Sequence, residues 1–335
     1  MTVRVGVVGT GMIGQEHIRR ITDVVAGAEV VAVCDTDIQR ADAVAARIGA
    51  RALPTGKDVI LDDRVDAVVV TSWGPTHAEF VLGAIEVGKH VFCEKPLATT
   101  AQDARRIIDA EQRHGRRLVQ VGFMRRYDPG YRAVKTILDR GDLGAPLLMH
   151  CAHRNPTVPE TYDTAMAVQD TAVHELDVIR WLLDEEIVSA QVISGRRTAR
   201  RYEHLVDPQV MLFETESGVR IDLEVFVNCR YGYEIRHETV CETGTVALPD
   251  PAAPSVRHSG AAGTEVLQDW KLRFADAFDR EFVDWISGIG SGRSTGPSAW
   301  DGYAVAVTSD ATVTAQETGA VVPVQLTDKP DFYRS

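Results

Sequence analysis

The sequence is short of several things. No apolar run approaches the roughly 20 residues a membrane-spanning helix needs, so the chain is not expected to cross a bilayer. Its opening, "MTVRVGVVGTGMIG", has neither the basic start nor the cleavage site of a secretory leader and reads as a strand and a turn. Cysteine is scarce and scattered: Cys34, Cys93, Cys151, Cys229 and Cys241 are odd in number and form no C-x-x-C pair. That pattern argues against a disulfide framework and fits reduced thiols in the cytoplasm. Basic residues are outnumbered, 36 against 48 acidic, for a net charge of -12. Nucleic acid and anionic membrane are therefore not expected as main partners. The one basic cluster, "RRTARR" from Arg196 to Arg201, is expected to be a solvated turn. There is no internal repeat and no low-complexity tract.

What is present is an ordinary globular composition, 44% apolar and 25% charged, over 335 residues, a length for which two domains are the natural expectation. In the first third, short runs rich in β-branched residues ("VRVGVV", "EVVAVCD", "DAVVVTS", "HVFCEK", "RLVQVGF") alternate with amphipathic stretches such as "IQRADAVAARIG" and "AQDARRIIDAEQRHG". Near-continuous apolar strands separated by helices imply a parallel sheet covered on both faces. An α/β doubly wound domain is expected over residues 1–123. Beyond it the runs lengthen ("PLLMHCAHRN", "EEIVSAQVIS", "QVMLFETESGVRIDLEVFVN", "YEIRHETVCETGTVAL"), with one helix among them and two near the end. Residues 124–335 are therefore expected to form an α+β domain with a mainly antiparallel sheet.

Gly9, Gly11 and Gly14 form G-x-G-x-x-G directly after a strand and at the start of a helix. In that context the glycines permit a tight turn, close approach to a pyrophosphate and helix–strand packing, while the helix N-terminus offers free N–H groups. The second strand ends at Asp35, which can accept both adenosine-ribose hydroxyls and repel a 2′-phosphate, favouring NAD; it could also cap the next helix. Ser72, Trp73 and His77 come after the third long strand, at the edge where such sheets bind ligands, although His77 could simply open a helix.

Lys95 ends "HVFCE" at the same carboxyl edge, and Pro96 fixes its own φ just beyond. Lys95 is read as functional there, against the alternative of a solvated ion pair with Glu94. In "QDTAVHELDVIRWLL", Val173, Leu176, Ile179 and Leu183 form the apolar stripe of a helix. Asp170, His174 and Asp177 lie together away from it. The competing reading makes Asp170 an N-cap and His174 a surface residue. No metal is expected: His150 and His153 point to opposite faces of a strand, and Cys151, His153 and Asn155 share a face without completing a ligand set. Asn155 suits a polar contact to a hydroxylated ligand, or a turn before Pro156.

With "GTGMIG", Asp35, "EKP" and the D-x-x-x-H of Asp170 and His174 in this order, the chain resembles the glucose–fructose oxidoreductase/inositol dehydrogenase (Gfo/Idh/MocA) family over essentially its whole length. "CEKPLATT", "VGFMRRYDPGY", "HCAHRNPT", "VNCRYGYEI" and "GPSAWDGYAVAVTSDA" are similar to its bacterial inositol 2-dehydrogenase branch. The resemblance implies a Rossmann domain and an α+β domain whose open sheet mediates assembly into a homotetramer. It implies Lys95, Asp170 and His174 as the catalytic trio and Arg125, Asn155, Asp177 and Tyr233 near the substrate, with Tyr231 competing for the last place. Around NAD it implies Gly9, Gly11, Met12, Ile13, Gly14, Asp35, Ser72, Trp73, His77, Glu94 and Lys95. Met12 departs from the smaller residue often found between the glycines.

The implied reaction is oxidation of a ring hydroxyl of a cyclic polyol, most like myo-inositol going to its 2-keto product, with His174 as base, Asp170 orienting it and Lys95 stabilising the reacting oxygen. Another polyol or sugar (scyllo- or chiro-inositol, glucose) is the nearest alternative. A non-catalytic dinucleotide-binding regulator is the more distant one.

Overall fold

The computed structural model describes residues 2–334, which divide into two compact units. The first holds six strands, β1 (Val3–Val8), β2 (Ala28–Cys34), β3 (Arg51–Ala52), β4 (Ala67–Val70), β5 (His90–Cys93) and β6 (Val119–Val121), in the order β3-β2-β1-β4-β5-β6. All adjacent pairs are parallel. The order reverses direction between β1 and β4, and the crevice at that switch point is where doubly wound sheets take their ligands. The helices between them are α1 (Met12–Asp23), α2 (Ile38–Ile48), α3 (Gly56–Leu61), α4 (His77–Glu86) and α5 (Ala101–His114). Local chemistry sets their ends, as α5 illustrates. The Thr100 side chain accepts from the N–H of Asp103 at its start, and Gly115 closes it in the left-handed region.

The second unit contains α6 (Pro129–Arg140), β7 (Pro146–Arg154), α7 (Val173–Leu183), β8 (Ile187–Ser194), β9 (Gln209–Thr215), β10 (Arg220–Phe226), β11 (Glu234–Cys241) and β12 (Thr245–Ala247). Its exposed hairpin is β13 (Ser255–His258) with β14 (Ala261–Thr264). Two long helices come next along the chain, α8 (Trp270–Gly290) and α9 (Ala299–Thr318), and then β15 (Val322–Pro323). Seven strands form one sheet, β12-β11-β7-β10-β9-β8-β15, antiparallel except for the β7–β10 pair. Its residues largely alternate: Met149, Cys151 and His153 of β7 and Ile221, Leu223 and Val225 of β10 are buried, while Leu148, His150 and Arg220 are exposed; only the small Ala152 of β7 is buried out of turn. That is the pattern of a sheet covered on one face only.

The expected single domain over residues 124–335 is corrected by the structure. The boundary after the parallel sheet falls at Met124, but the remainder of the chain is not one continuous domain, because Asp276–Val307 and the stretch from Leu326 return to the first unit. The reason is burial. Phe282, Trp285 and Ile286 of α8 complete the core formed by Val5, Val7, Ile18, Ile21, Val33, Val69 and Phe92. The single non-helical residue inside α8, Phe274, stands two residues before that division. Near the C-terminus Tyr333 donates its hydroxyl to Glu111 at 2.6 Å, and Glu111 also accepts the N–H groups of Leu118 and Val119.

Candidate active site

In the first unit the three glycines have three different reasons to be glycine. Gly9 has φ +100°, where other residues are strained, and a methyl group there would lie 2.6 Å from the Thr71 carbonyl oxygen. A methyl on Gly14 would lie 2.1 Å from the Gly9 carbonyl oxygen, so helix and turn can touch only without one. A methyl on Gly11 would meet nothing within 4 Å. The room at Gly11 lies at the start of α1, where Gly11 brings no capping side chain of its own. An open, uncapped helix start beside a strand end is what a pyrophosphate requires.

Asp35 stands across the turn. It accepts the Thr10 N–H at 2.6 Å, the Thr10 hydroxyl at 3.0 Å, the Asp37 N–H at 2.9 Å and Arg40 Nη2 at 2.7 Å. Burial would raise its pKa, but these donors hold the carboxyl well below the usual carboxylate range. The helix cap that competed for its role belongs to Asp37, whose side chain accepts from the N–H of Arg40. The residues present thus fit the two ends of an adenosine diphosphate moiety.

At the ends of β4 and β5, Trp73 is 77% exposed and the Ser72 hydroxyl pairs with that of Thr76 at 2.7 Å. Met12 is exposed and Ile13 half-buried. His77 opens α4, as one of its two readings had it, is buried, and places Nδ1 2.7 Å from the Pro96 carbonyl and Nε2 3.0 Å from the Ser72 carbonyl. Both ring nitrogens lie against backbone carbonyls, so the ring ties two loops together. Glu94 departs from the alternative of a solvated ion pair with Lys95. It is buried, with Oε1 on His17 Nε2 at 2.7 Å and Oε2 on the N–H of Lys95 at 3.0 Å. Its carboxylate is no solvated partner for the Lys95 side chain; it points into the protein. Lys95 itself is half-buried, and the Lys95–Pro96 peptide is cis.

In the second unit a π-helical turn, Ala167–Ala172, leads into α7. Asp170 lies in that turn and is exposed; His174, the second residue of α7, is half-buried. π turns inside helices recur at functional positions because they re-aim side chains. The rest of α7 is not the one-stripe helix expected. Val173, Leu176 and Ile179 are buried and Leu183 half-buried, but Glu175, Asp177 and Arg180 are buried too. Each of the three has a partner of opposite charge. Arg126 grips Asp177 with Nε at 2.9 Å and Nη2 at 2.5 Å, and Arg180 binds Glu186. Glu175 takes Arg125. Asp177 is thus an ion-pair acceptor and no member of an open polar face.

Arg125 is buried beneath the same helix. It binds Glu175 and brings Nη2 to 3.1 Å from His153 Nδ1, the atom that also lies 3.1 Å from Glu175 Oε2. Burial works against the Arg125 charge and Glu175 more than restores it, while Glu175, despite its own burial, is held below the usual range by Arg125 and His153. Tyr233 closes the cluster, its ring edge-on to His153 at 5.6 Å, and burial raises its phenol. The two tyrosines differ in setting: Tyr231 is 46% exposed and Tyr233 is buried. The segment is not extended, since Gly232 between them has φ +154°. The His153 and His174 rings are 6.4 Å apart. Asn155 is half-buried at the end of β7, its backbone bonded to Phe226 and Cys229.

Sequence reasoning missed His17, Glu175 and Arg126. Two of them had a signal. His17 falls at helical spacing with Gly14, Ile18 and Ile21, and Glu175 with Ala172, Ile179 and Leu182, so both are polar residues on buried stripes.

Residues 3–123 match the family described as "Oxidoreductase family, NAD-binding Rossmann fold", and residues 131–247 match the "GFO/IDH/MocA C-terminal domain". The chain is 64% identical over 333 residues to inositol 2-dehydrogenase 3 of Saccharopolyspora erythraea, covering 99% of this chain and 98% of that one. It is 54% identical over 335 residues to inositol 2-dehydrogenase of Serratia proteamaculans, with 99% of each covered. Among solved structures, the myo-inositol dehydrogenase of Lactobacillus casei in complex with NAD(H) and myo-inositol superposes with a TM-score of 0.96. It shares 42% identity over 99% of this chain and 100% of that one.

Proposed function

Because the chain belongs to the Gfo/Idh/MocA family of NAD-dependent oxidoreductases, we propose that it oxidises the 2-hydroxyl of myo-inositol to the ketone. One observation carries the substrate: the identity to an inositol 2-dehydrogenase is 64% and runs through 99% of this chain, so both units are matched together. The NAD moiety is held by the start of α1 at Gly11 and by Asp35 at the end of β2. When bound, NAD accepts the hydride from the alcohol carbon.

The chain's own residues handle the proton and the oxygen. His174 is the base that takes the hydroxyl proton, and Asp170 orients it and stabilises the imidazolium formed. Lys95 hydrogen-bonds the reacting oxygen as negative charge develops there. The π turn that carries Asp170 and the half-buried setting of His174 support these roles. Asn155 and Tyr233 are the polar groups proposed for the neutral, hydroxyl-rich ring, with Arg125 and Asp177 setting the surrounding frame through their ion pairs. Assembly as a cytoplasmic homotetramer completes the reading; the sheet face bearing Leu148, His150 and Arg220 is the surface left for a second copy.

The test is NADH formation followed at 340 nm against myo-, scyllo- and chiro-inositol and glucose. Highest kcat/KM with myo-inositol is expected, and a higher value with another isomer would move the substrate. His174→Ala should cut kcat by about 100-fold or more with little change in NADH affinity. No signal with any polyol would leave a dinucleotide-binding regulator. Light scattering on the same preparation should give four chain masses.

A further inference from the structure

A chain of polar groups runs beneath Lys95, buried at Glu94, His17 and Arg20 and half-buried at Asp279, all within the first unit. The N–H of Lys95 donates to Glu94 Oε2 at 3.0 Å, and Glu94 Oε1 takes His17 Nε2 at 2.7 Å. Behind the imidazole, Arg20 Nη1 donates to His17 Nδ1 at 3.4 Å, and Arg20 Nε donates to Asp279 Oδ1 at 3.1 Å. The donors and acceptors fix the tautomer. A carboxylate only accepts and a guanidinium only donates, so the ring carries its hydrogen on Nε2 and receives on Nδ1. Burial pushes the His17 pKa down further than Glu94 lifts it; burial also works against the Glu94 charge, but the His17 hydrogen bond, with help from Lys95, holds its carboxyl below the usual range. The pair is a neutral imidazole against an anionic carboxylate.

The cost of burying these groups sets the question. His17 is fully buried in a cage of Phe92, Phe278 and Phe282, with ring centroids 5.6, 5.7 and 4.5 Å away. Phenylalanine would fill such a cage without asking for any hydrogen bond. The service the polar version adds is at its far end, where Glu94 holds the backbone from which Lys95 extends. From the other side, His77 Nδ1 holds the Pro96 carbonyl at 2.7 Å. The loop is therefore pinned on both sides of the lysine.

We infer that His17 and Glu94 form a positioning pair that aims Lys95, linking the cofactor-binding helix α1 to the end of β5. This rests on the reading of Lys95 as the group that meets the reacting oxygen. Neither residue touches the substrate; their effect passes through the direction and immobility of the lysine.

The experiment uses the full-length enzyme with His17→Phe, His17→Gln and Glu94→Gln, each made with and without Lys95→Ala. Glutamine can place its amide N–H where Nε2 stood, so His17→Gln should keep kcat within about threefold of the parent, while His17→Phe and Glu94→Gln should lose about 10- to 100-fold in kcat. NADH affinity, read by fluorescence titration, should change little in all three, because the pyrophosphate start of α1 is untouched. In the Lys95→Ala background His17→Phe should cost nothing further, since there is no lysine left to aim. A full loss from His17→Phe in that background, a loss tracking NADH affinity, or unchanged kcat in a folded His17→Phe would each overturn the pair. Should His17→Phe fail to fold, Glu94→Gln in the two backgrounds decides alone. Unchanged turnover in Lys95→Ala itself would instead remove the role of the lysine, a distinguishable failure.

Discussion

Asp35 does two jobs with one carboxylate. It closes the glycine turn through Thr10, and it holds the exposed Arg40 at 2.7 Å. A ribose 2′-hydroxyl can share those oxygens, whereas a 2′-phosphate would meet an anion kept charged by all its donors. Asp35→Ser removes the repulsion and frees the Arg40 Nη2 that Asp35 held, leaving only the longer pair with Asp37 at 3.5 Å, so the guanidinium can turn to a 2′-phosphate. The ratio of kcat/KM with NADP to that with NAD should rise by at least roughly tenfold, the equivalent of about 1.4 kcal/mol. An unmoved ratio would place discrimination elsewhere. Asp35 could be found from its place at the end of a strand. Glu94 could be found but not understood, because the partner that explains it, His17, is 77 positions away in the chain.

At the scale of elements, the glycine turn and α7 make opposite points. The turn obeys its motif because close approach of backbone to backbone is a local demand. Gly14→Ala would press a methyl against the Gly9 carbonyl at 2.1 Å and should destabilise the first unit by about 1–3 kcal/mol or more, lowering Tm. Gly11→Ala has open room and a φ of -67° that alanine accepts, so its Tm should match the parent while NADH binding weakens. Equal Tm losses in both would mean the turn does not distinguish them. Helix α7 shows the limit of periodicity. Its apolar stripe was readable, but its charged residues are buried as well, each neutralised by a residue from another segment. Only neighbours decide whether a charge on a helix faces water or an ion-pair partner.

Across the whole molecule, buried histidines set the response to acid. His17, His90 and His237 are all pushed down by burial, His237 to about 4 from an ordinary 6.5. Between those values the unfolded chain takes up protons that the folded chain refuses, so stability falls as pH drops from 6.5 toward 4. Each such histidine contributes a slope of up to about 1.4 kcal/mol per pH unit. Glu94 and Glu175, both held below 4.5, add a loss that begins lower: their contribution is complete above 4.5 and disappears as pH falls through their folded values. Tm should therefore drop between pH 7 and pH 5, and His237→Gln should flatten that drop. A flat Tm over this range in the parent would contradict the burial of these rings as neutral species.

Sequence by itself determined the parallel sheet, the glycine turn, Asp35 at its strand end, Lys95 at another, and the change to a one-sided antiparallel sheet. Each arises from periodicity or from chemistry within a few residues, and such patterns survive in a linear string. Tertiary structure decided the rest: that α8 returns to complete the first core, that His77 and Glu94 serve the backbone, that Asp177 and Arg125 are locked in ion pairs, and that Tyr233 goes in while Tyr231 stays out. In each case the outcome depends on packing or pairing with residues distant in sequence, which offset the penalty of burying a polar group, and no local pattern records who that partner will be.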